Sequence, residues 1–214
     1  MDFGLFIQKL ENQLKLELPG ENAQWRMAPV QRKALMENYY AGLTDPKKSA
    51  VLICLYPYQD SVFTLLTLRP AEFGIHSDQI SFPGGKYEVS DLNLEATAFR
   101  ETKEELGIDG NLLSIIGMLT PVYIPVSNFI VFPFIASADK RPDFILNEME
   151  VKQVIETDLT VFLDDSIKSI SYFLSPGRSI EAPYYGVKQQ KIWGATAMIL
   201  SEFEEILRPL FIHS

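Results

Sequence analysis

The stretch "GGKYEVSDLNLEATAFRETKEELGI", residues 84–108, carries Glu101, Glu104 and Glu105 within five positions of one another. Like charges three and four residues apart on a helix repel by a few tenths of a kcal/mol each. A helix bearing them therefore needs either bulk water or a compensating positive charge. At about 100° per residue from Glu101, Glu104 falls near −60° and Glu105 near +40°, with Phe99, Thr102 and Leu106 between about 100° and 160°. One face is then carboxylate and another can pack on a sheet. Taken alone, charge on an outer helix face is ordinarily a solvated surface. The context here is different. A Gly84-Gly85 turn precedes the helix, and the loop between them carries Glu88 and Asp91. Such a loop can fold back and bring further oxygen ligands to the same place. Oxygen-only donors suit Mg²⁺ or Mn²⁺ rather than zinc. An ion of that kind would offset the repulsion, polarise a phosphoryl oxygen and acidify a water molecule.

The elements that must position these groups follow from periodicity. Residues 92–106 form the carboxylate helix, with Asp91 as the expected N-cap and Gly107 as the stop. Phe3, Phe6, Ile7, Leu10 and Leu14 recur at helical spacing, so an amphipathic helix is expected over 3–16, ended by "LPGENAQ". A second short helix is expected over 30–41. "AVLICLY" and "VFTLLTL" flank "PYQDS" and read as two strands and a turn. "QISF", "LLSIIGML", "FIVFPFIAS", "ISYFL" and "APYYGV" supply further strands, with a strand or short helix near Val154 and Ile155. "GATAMILSEFEEIL" closes the chain as a helix, its acids read as a solvated face. Strands and helices interleave without regular alternation. The expectation is an α/β fold with a mixed sheet between helices.

Bulk properties narrow the function. The 214 residues suit one large domain, or one domain with an N-terminal extension. The formal charge of −9 argues against binding nucleic acid through phosphate attraction. The single cysteine, Cys54, lies in an apolar run, where it packs rather than reacts, and a lone cysteine fits a reducing compartment. The N-terminus lacks the pattern of a secretory signal. No apolar run approaches the ~18 residues of a membrane span. A soluble cytoplasmic protein, with no membrane partner, is expected.

The run around Gly85, Arg100, Glu101, Glu104, Glu105, Gly107 and Ile108 strongly resembles the Nudix box. The common box has one residue fewer between its glycine and its Arg-Glu pair; its acidic position falls here on Leu92, with Asp91 beside it. Upstream, "LLTLRPAEFGIHSDQISFPGGKYEVSD" resembles the coenzyme A diphosphatase branch of that family, in which the extra residue is expected. "NEMEVKQVIETDLTVFL" and "IWGATAMIL" resemble later segments of the same branch, so the likeness spans roughly residues 49–207. Phe73, Gly74 and Asp78 depart from it, removing a common cation and adding an acid near the substrate.

The resemblance implies a Nudix α/β/α sandwich over 46–214, with residues 1–45 a helical extension packed on it. It implies hydrolysis of a P–O–P linkage by water with Mg²⁺ or Mn²⁺. The substrate is a small nucleotide-containing diphosphate, and for coenzyme A the products are 3′,5′-ADP and 4′-phosphopantetheine. Glu101, Glu104 and Glu105 match the positions that hold the metal. One of them, or Glu150, is the candidate base, and Arg100 orients a box carboxylate. Arg69, His76, Gly84, Gly85 and Lys86 are the substrate-binding candidates. For Arg69 and Lys86 an ordinary exposed cation is the competing reading, for His76 a structural histidine, and for the two glycines a purely backbone role. Trp193 is read as core, with stacking on a base as the alternative, and Tyr184 and Tyr185 as core. Two rival functions remain: a Nudix enzyme for nucleoside diphosphate sugars, dinucleotides or oxidised nucleotides, and a non-catalytic nucleotide-sensing module. Whether the extension caps the site, joins a homodimer interface or completes the fold stays open.

Overall fold

The computed structural model describes residues 2–32, 36, 45–70, 79–175 and 178–212. The expected helix over 30–41 and the candidates Phe73, Gly74, His76 and Asp78 lie largely or wholly outside them.

The centre of the molecule is β1 (Lys47–Tyr58), whose interior residues are buried on both faces. This is the pattern expected of a strand covered above and below. Antiparallel β2 (Ser61–Leu68) follows after a two-residue turn. Gln59 and Asp60 have φ of 50° and 60° there, the twist that a tight hairpin requires. On the other side β1 pairs in parallel with β7 (Phe129–Ser137), which makes the sheet mixed. The sheet order is β3 (Ile80–Ser81), β2, β1, β7, β5 (Ser114–Met118). The short β4 (Gly84–Lys86) pairs with β1, β6 (Val122–Ile124) with β7, and β8 (Gln153–Asp158) with β2. A second, antiparallel sheet joins β9 (Lys168–Ser175), β10 (Arg178–Val187) and β11 (Gln190–Trp193).

Alternation along β1 sorts the core into two layers. Leu52, Cys54 and Tyr56 pack with Ala98, Leu106 and Ile108, beneath helix α3 (Leu94–Leu106). Ile53 and Leu55 point the other way, against Phe6 and Leu10 of α1 (Phe3–Leu14) and Met198, Phe203 and Leu207 of α4 (Gly194–Ile212). The result is an α/β/α sandwich. Cys54 is fully buried, and burial pushes its thiol up to about 12, so it is packing.

Helix α1 ends ahead of "LPGENAQ" as expected, and Gly20–Gln24 then forms a short helix, α2, that packs on α4. Two expectations are corrected. Helix α3 starts at Leu94, and its N-cap is Asn93, whose side chain accepts from the Ala96 amide at 2.8 Å. Asp91 is engaged elsewhere. Two of the three acids of "EFEEIL" do not lie on a solvated face; Glu205, 39% exposed at its side chain, does. Glu202 is 0% exposed and Glu204 5%. Glu202 accepts from Gln24 Nε2 at 2.8 Å and from Thr120 Oγ1 at 2.7 Å, fastening α2 and the chain before β6 to α4. Glu204 accepts from Tyr185 Oη at 2.8 Å and Lys168 Nζ at 2.7 Å.

Candidate active site

Helix α3 lies with Thr97, Ala98, Thr102, Glu105 and Leu106 buried. Its packing face therefore includes one of the three glutamates. Gly107 ends the helix in the left-handed region, φ 72°, and its amide returns to the Lys103 carbonyl. The last-turn carbonyls that lack helical partners are met by the next loop: Ile145 N–H donates to Leu106 O at 2.8 Å and Asn147 N–H to Glu105 O at 3.0 Å. Asn147 then shapes a turn, accepting from the Met149 amide and donating from Nδ2 to Glu150 Oε1 at 2.9 Å. In this way a residue far along the chain is delivered to the helix.

Carboxylate oxygens of Glu101, Glu105 and Glu150 lie within 4.8 Å of one another. Glu104 is outside this group; its side chain is 52% exposed and bonded to Arg100. Neither Glu88 nor Asp91 joins it. Glu105 is 1% exposed, and its Oε2 is buried without a hydrogen-bond partner. Burial pushes this carboxyl up to about 8, against the pull of Arg69. Burial also raises Glu101, opposed by its hydrogen bond from Arg100. An orphaned buried oxygen, two carboxyls hard to ionise alone and an all-oxygen donor set together fit a hard divalent cation.

Gly85 makes this packing possible. A Cβ there would lie 2.4 Å from the Glu101 carboxyl carbon. Strand β4 presents bare backbone, and Glu101 lies against it. The Gly84 backbone weakly opposes the upward push that burial gives the Glu105 carboxyl.

Arg100 is the brace. Its Nε and Nη2 bond Asp91 Oδ1 and Oδ2 at 2.8 and 3.0 Å. Nη1 bonds Glu101 Oε1 at 2.9 Å and Glu104 Oε2 at 3.1 Å, and Nη2 also bonds Lys86 O at 3.0 Å. Asp91 in turn accepts from the Glu88 amide and Thr97 Oγ1. The paired guanidinium holds the Asp91 carboxyl well below the usual carboxylate range. Leu92, at the box's acidic position by count, is 90% exposed. The extra residue is taken up in the loop, and Asp91 makes the inward contact.

Arg69 Nη2 stands 3.6 Å from Glu105 Oε1, with 40% of its side chain exposed. Arg69, Gly84, Gly85 and Lys86 line a pocket of about 370 Å³, whose wall also includes Trp193, Met198 and Ile199. Trp193 is half-buried and stacks on Phe173, centroids 4.3 Å apart at 12°. Tyr185 is fully buried. His76 lies outside the described residues. Sequence reasoning passed over Asn147, although Asn three residues before Glu150 is a turn signal. It also passed over Arg32, which lines the same pocket and had no local pattern to mark it. Among the described residues no helix is long and apolar enough to cross a membrane.

Comparison with known proteins agrees with this architecture. A family model described as the NUDIX domain matches residues 46–165. The mouse (Mus musculus) protein named mitochondrial coenzyme A diphosphatase NUDT8 is 33% identical over 174 residues, covering 78% of this chain and 80% of that one. Nudix hydrolase 15, mitochondrial, of Arabidopsis thaliana is 35% identical over 162 residues, 72% of this chain. The chain spans about half the length of that plant relative, 56% of it. The crystal structure of the M. smegmatis Nudix hydrolase RenU shares the fold, with a TM-score of 0.55 at 14% identity over 78% of this chain and 89% of that one. With more than half of its length matched by the NUDIX domain and a relative one-third identical covered over most of its own length, the chain belongs to the Nudix family.

Proposed function

We propose that the protein is a divalent-cation-dependent hydrolase of diphosphate linkages, and that its substrate is coenzyme A or a derivative, cleaved to 3′,5′-ADP and 4′-phosphopantetheine or its acyl form. One observation carries the chemistry: the Glu101, Glu105 and Glu150 oxygens converge beside a pocket whose charged lining is cationic. These three residues would hold Mg²⁺ or Mn²⁺. Such a cation supplies Lewis-acid polarisation of a phosphoryl oxygen and acidifies water.

The remaining work belongs to side chains of this chain. In this reading Glu150 takes a proton from the attacking water, supported by its exposure at its turn and its closeness to the other two carboxylates. Arg69 and Lys86 attract the diphosphate at the pocket's edge. Arg100 has its donors engaged by carboxylates and a carbonyl, so it positions Glu101 rather than binding phosphate. Glu104 balances that guanidinium on the outer side through Oε2.

The choice of coenzyme A is supported by the name of the mouse relative and by the motif upstream of β4. The cytoplasmic residence expected from the sequence widens to an organelle matrix, since the mouse and Arabidopsis relatives are named mitochondrial. The test is product analysis of the purified protein with coenzyme A and Mg²⁺ or Mn²⁺, run beside Glu105→Gln. Formation of 3′,5′-ADP that falls by about 10² or more in the variant supports both cluster and substrate. If coenzyme A survives while a nucleoside diphosphate sugar or dinucleotide is cut, the substrate assignment fails and the chemistry stands. Nucleotides bound but never cut would make this a sensing module.

A further inference from the structure

The N-terminal segment helps to build the pocket beside the carboxylate cluster: Pro29, Gln31 and Arg32 contribute to its wall, together with Lys86 and with Arg69, which stands 3.6 Å from Glu105. The lining is mostly apolar, with Val51, Ile124 and Met198 among it. The charges are one-sided. Among the described residues the lining holds three cations, Arg32, Arg69 and Lys86, and no aspartate or glutamate. That distribution occurs in a chain with 28 acids against 19 basic residues.

Arg32 is the unusual member. It is 9% exposed, whereas the Arg69 side chain is 40% exposed. Its guanidinium stands over the Trp25 ring, 5.4 Å from the centroid. Arginine is more weakly hydrated than lysine and stacks on aromatic faces, which lowers the cost of holding it in a buried wall. Its amide donates to Pro29 O at 2.9 Å, and Val30 N–H donates to Glu181 O of β10 at 3.1 Å, so this stretch is pinned to the second sheet. The segment itself is tied down by Glu202, which accepts from Gln24. Arg69 stands at Glu105, whereas Arg32 is held on the N-terminal segment against the second sheet, so Arg32 is suited to a charge on the ligand other than the scissile diphosphate.

We propose that Arg32 is a specificity-determining residue that binds a second anionic group of the substrate, a phosphate or carboxylate carried on the part of the molecule remote from the bond that breaks. The proposal rests on the hydrolase reading above and deepens it. It makes the N-terminal segment part of the substrate site. In a coenzyme A compound this anion has two sources, the ribose 3′-phosphate or a carboxylate at the end of an acyl chain.

Two substrate pairs distinguish the sources. Coenzyme A against dephospho-coenzyme A differs only in the 3′-phosphate. Succinyl- against butyryl-coenzyme A differs in a terminal carboxylate. The full chain is expected to favour the more anionic member of one pair in kcat/KM, and Arg32→Gln to reduce that preference by roughly ten- to a hundredfold. Arg32→Lys, which keeps the charge, is expected to retain part of it. The ratio within a pair is insensitive to a general loss of folded protein, so a merely structural role for Arg32 would lower both members and leave the ratio unchanged. Unchanged ratios in both pairs overturn the proposal. If no coenzyme A compound is cut, the hydrolase reading fails separately, and calorimetric binding of the same compounds decides this one. Tighter binding of the more anionic partner, lost in Arg32→Gln, supports it, and equal binding overturns it.

Discussion

Arg100 grips Asp91 with two parallel hydrogen bonds, 2.8 and 3.0 Å, across nine residues of sequence. The same guanidinium reaches Glu101 at 2.9 Å. The loop carrying the extra residue, the helix and the carboxylate cluster are thus one mechanical unit. Asp91→Ala leaves a largely buried guanidinium without its main partner and is expected to cost about 3 kcal/mol. It should also lower kcat by weakening the hold on Glu101. Thermal melting and kinetics on the same preparation check both. The Asp91 carboxyl sits below its unfolded value, so this stabilisation is present above about pH 4 and is lost only as pH falls through the depressed folded value. The gap in melting temperature between wild type and Asp91→Asn should accordingly stay open down to about pH 4.

Glu105 behaves in the opposite sense. In the cation-free protein it keeps its proton up to about pH 8, while an unfolded glutamate loses it near pH 4.3. Between those values the folded state holds more protons. Its stabilising contribution is complete below the unfolded value and is lost as pH rises towards 8. A divalent cation competes with that proton. The rise in melting temperature produced by excess Mn²⁺ should be larger at pH 8 than at pH 6, and Glu105→Gln should abolish the difference. An equal Mn²⁺ effect at both pH values in wild type would sink this account.

Gly85→Ala tests the close approach of Glu101 to β4. The added methyl would overlap the Glu101 carboxyl, 2.4 Å away, and one of the two must move. The expected result is a folded protein with weakened Mn²⁺ response and activity reduced by on the order of 10²-fold, as for other small misplacements of a catalytic group. Circular dichroism and Mn²⁺ titration separate this from unfolding.

Glu202 fastens the N-terminal segment. Glu202→Ala removes one of the two acceptors of Gln24 Nε2 and the acceptor of the Thr120 hydroxyl beneath α4 and should destabilise by about 1–3 kcal/mol. Limited proteolysis should then cut ahead of β1 first. Glu202→Gln keeps the shape and one acceptor and should be milder. Equal proteolysis of the two variants would argue against the anchoring role.

That residues 84–108 hold a glycine pair followed by a carboxylate-bearing helix was legible locally, because helical periodicity and charge are properties of neighbouring residues. The β1–β2 hairpin, the mixed sheet and the Gly107 stop were readable for the same reason. The identity of the third carboxylate in the cluster was not. Glu104 and Glu150 are equal candidates by residue type. Only the rotation of α3 on the sheet, and the capping of its last carbonyls by residues 145–147, turn Glu104 outward and bring Glu150 in. Asp91 read as a helix cap because short-range pattern cannot show that a guanidinium nine residues away will claim it. Glu202 and Glu204 read as solvated because sequence carries charge but not depth; their burial depends on hydroxyl, amide and cationic partners from distant segments. The sequence by itself determined the local chemistry and the elements that bear it. Tertiary packing decided which charges face each other, since that is set by long-range contacts no local spacing encodes.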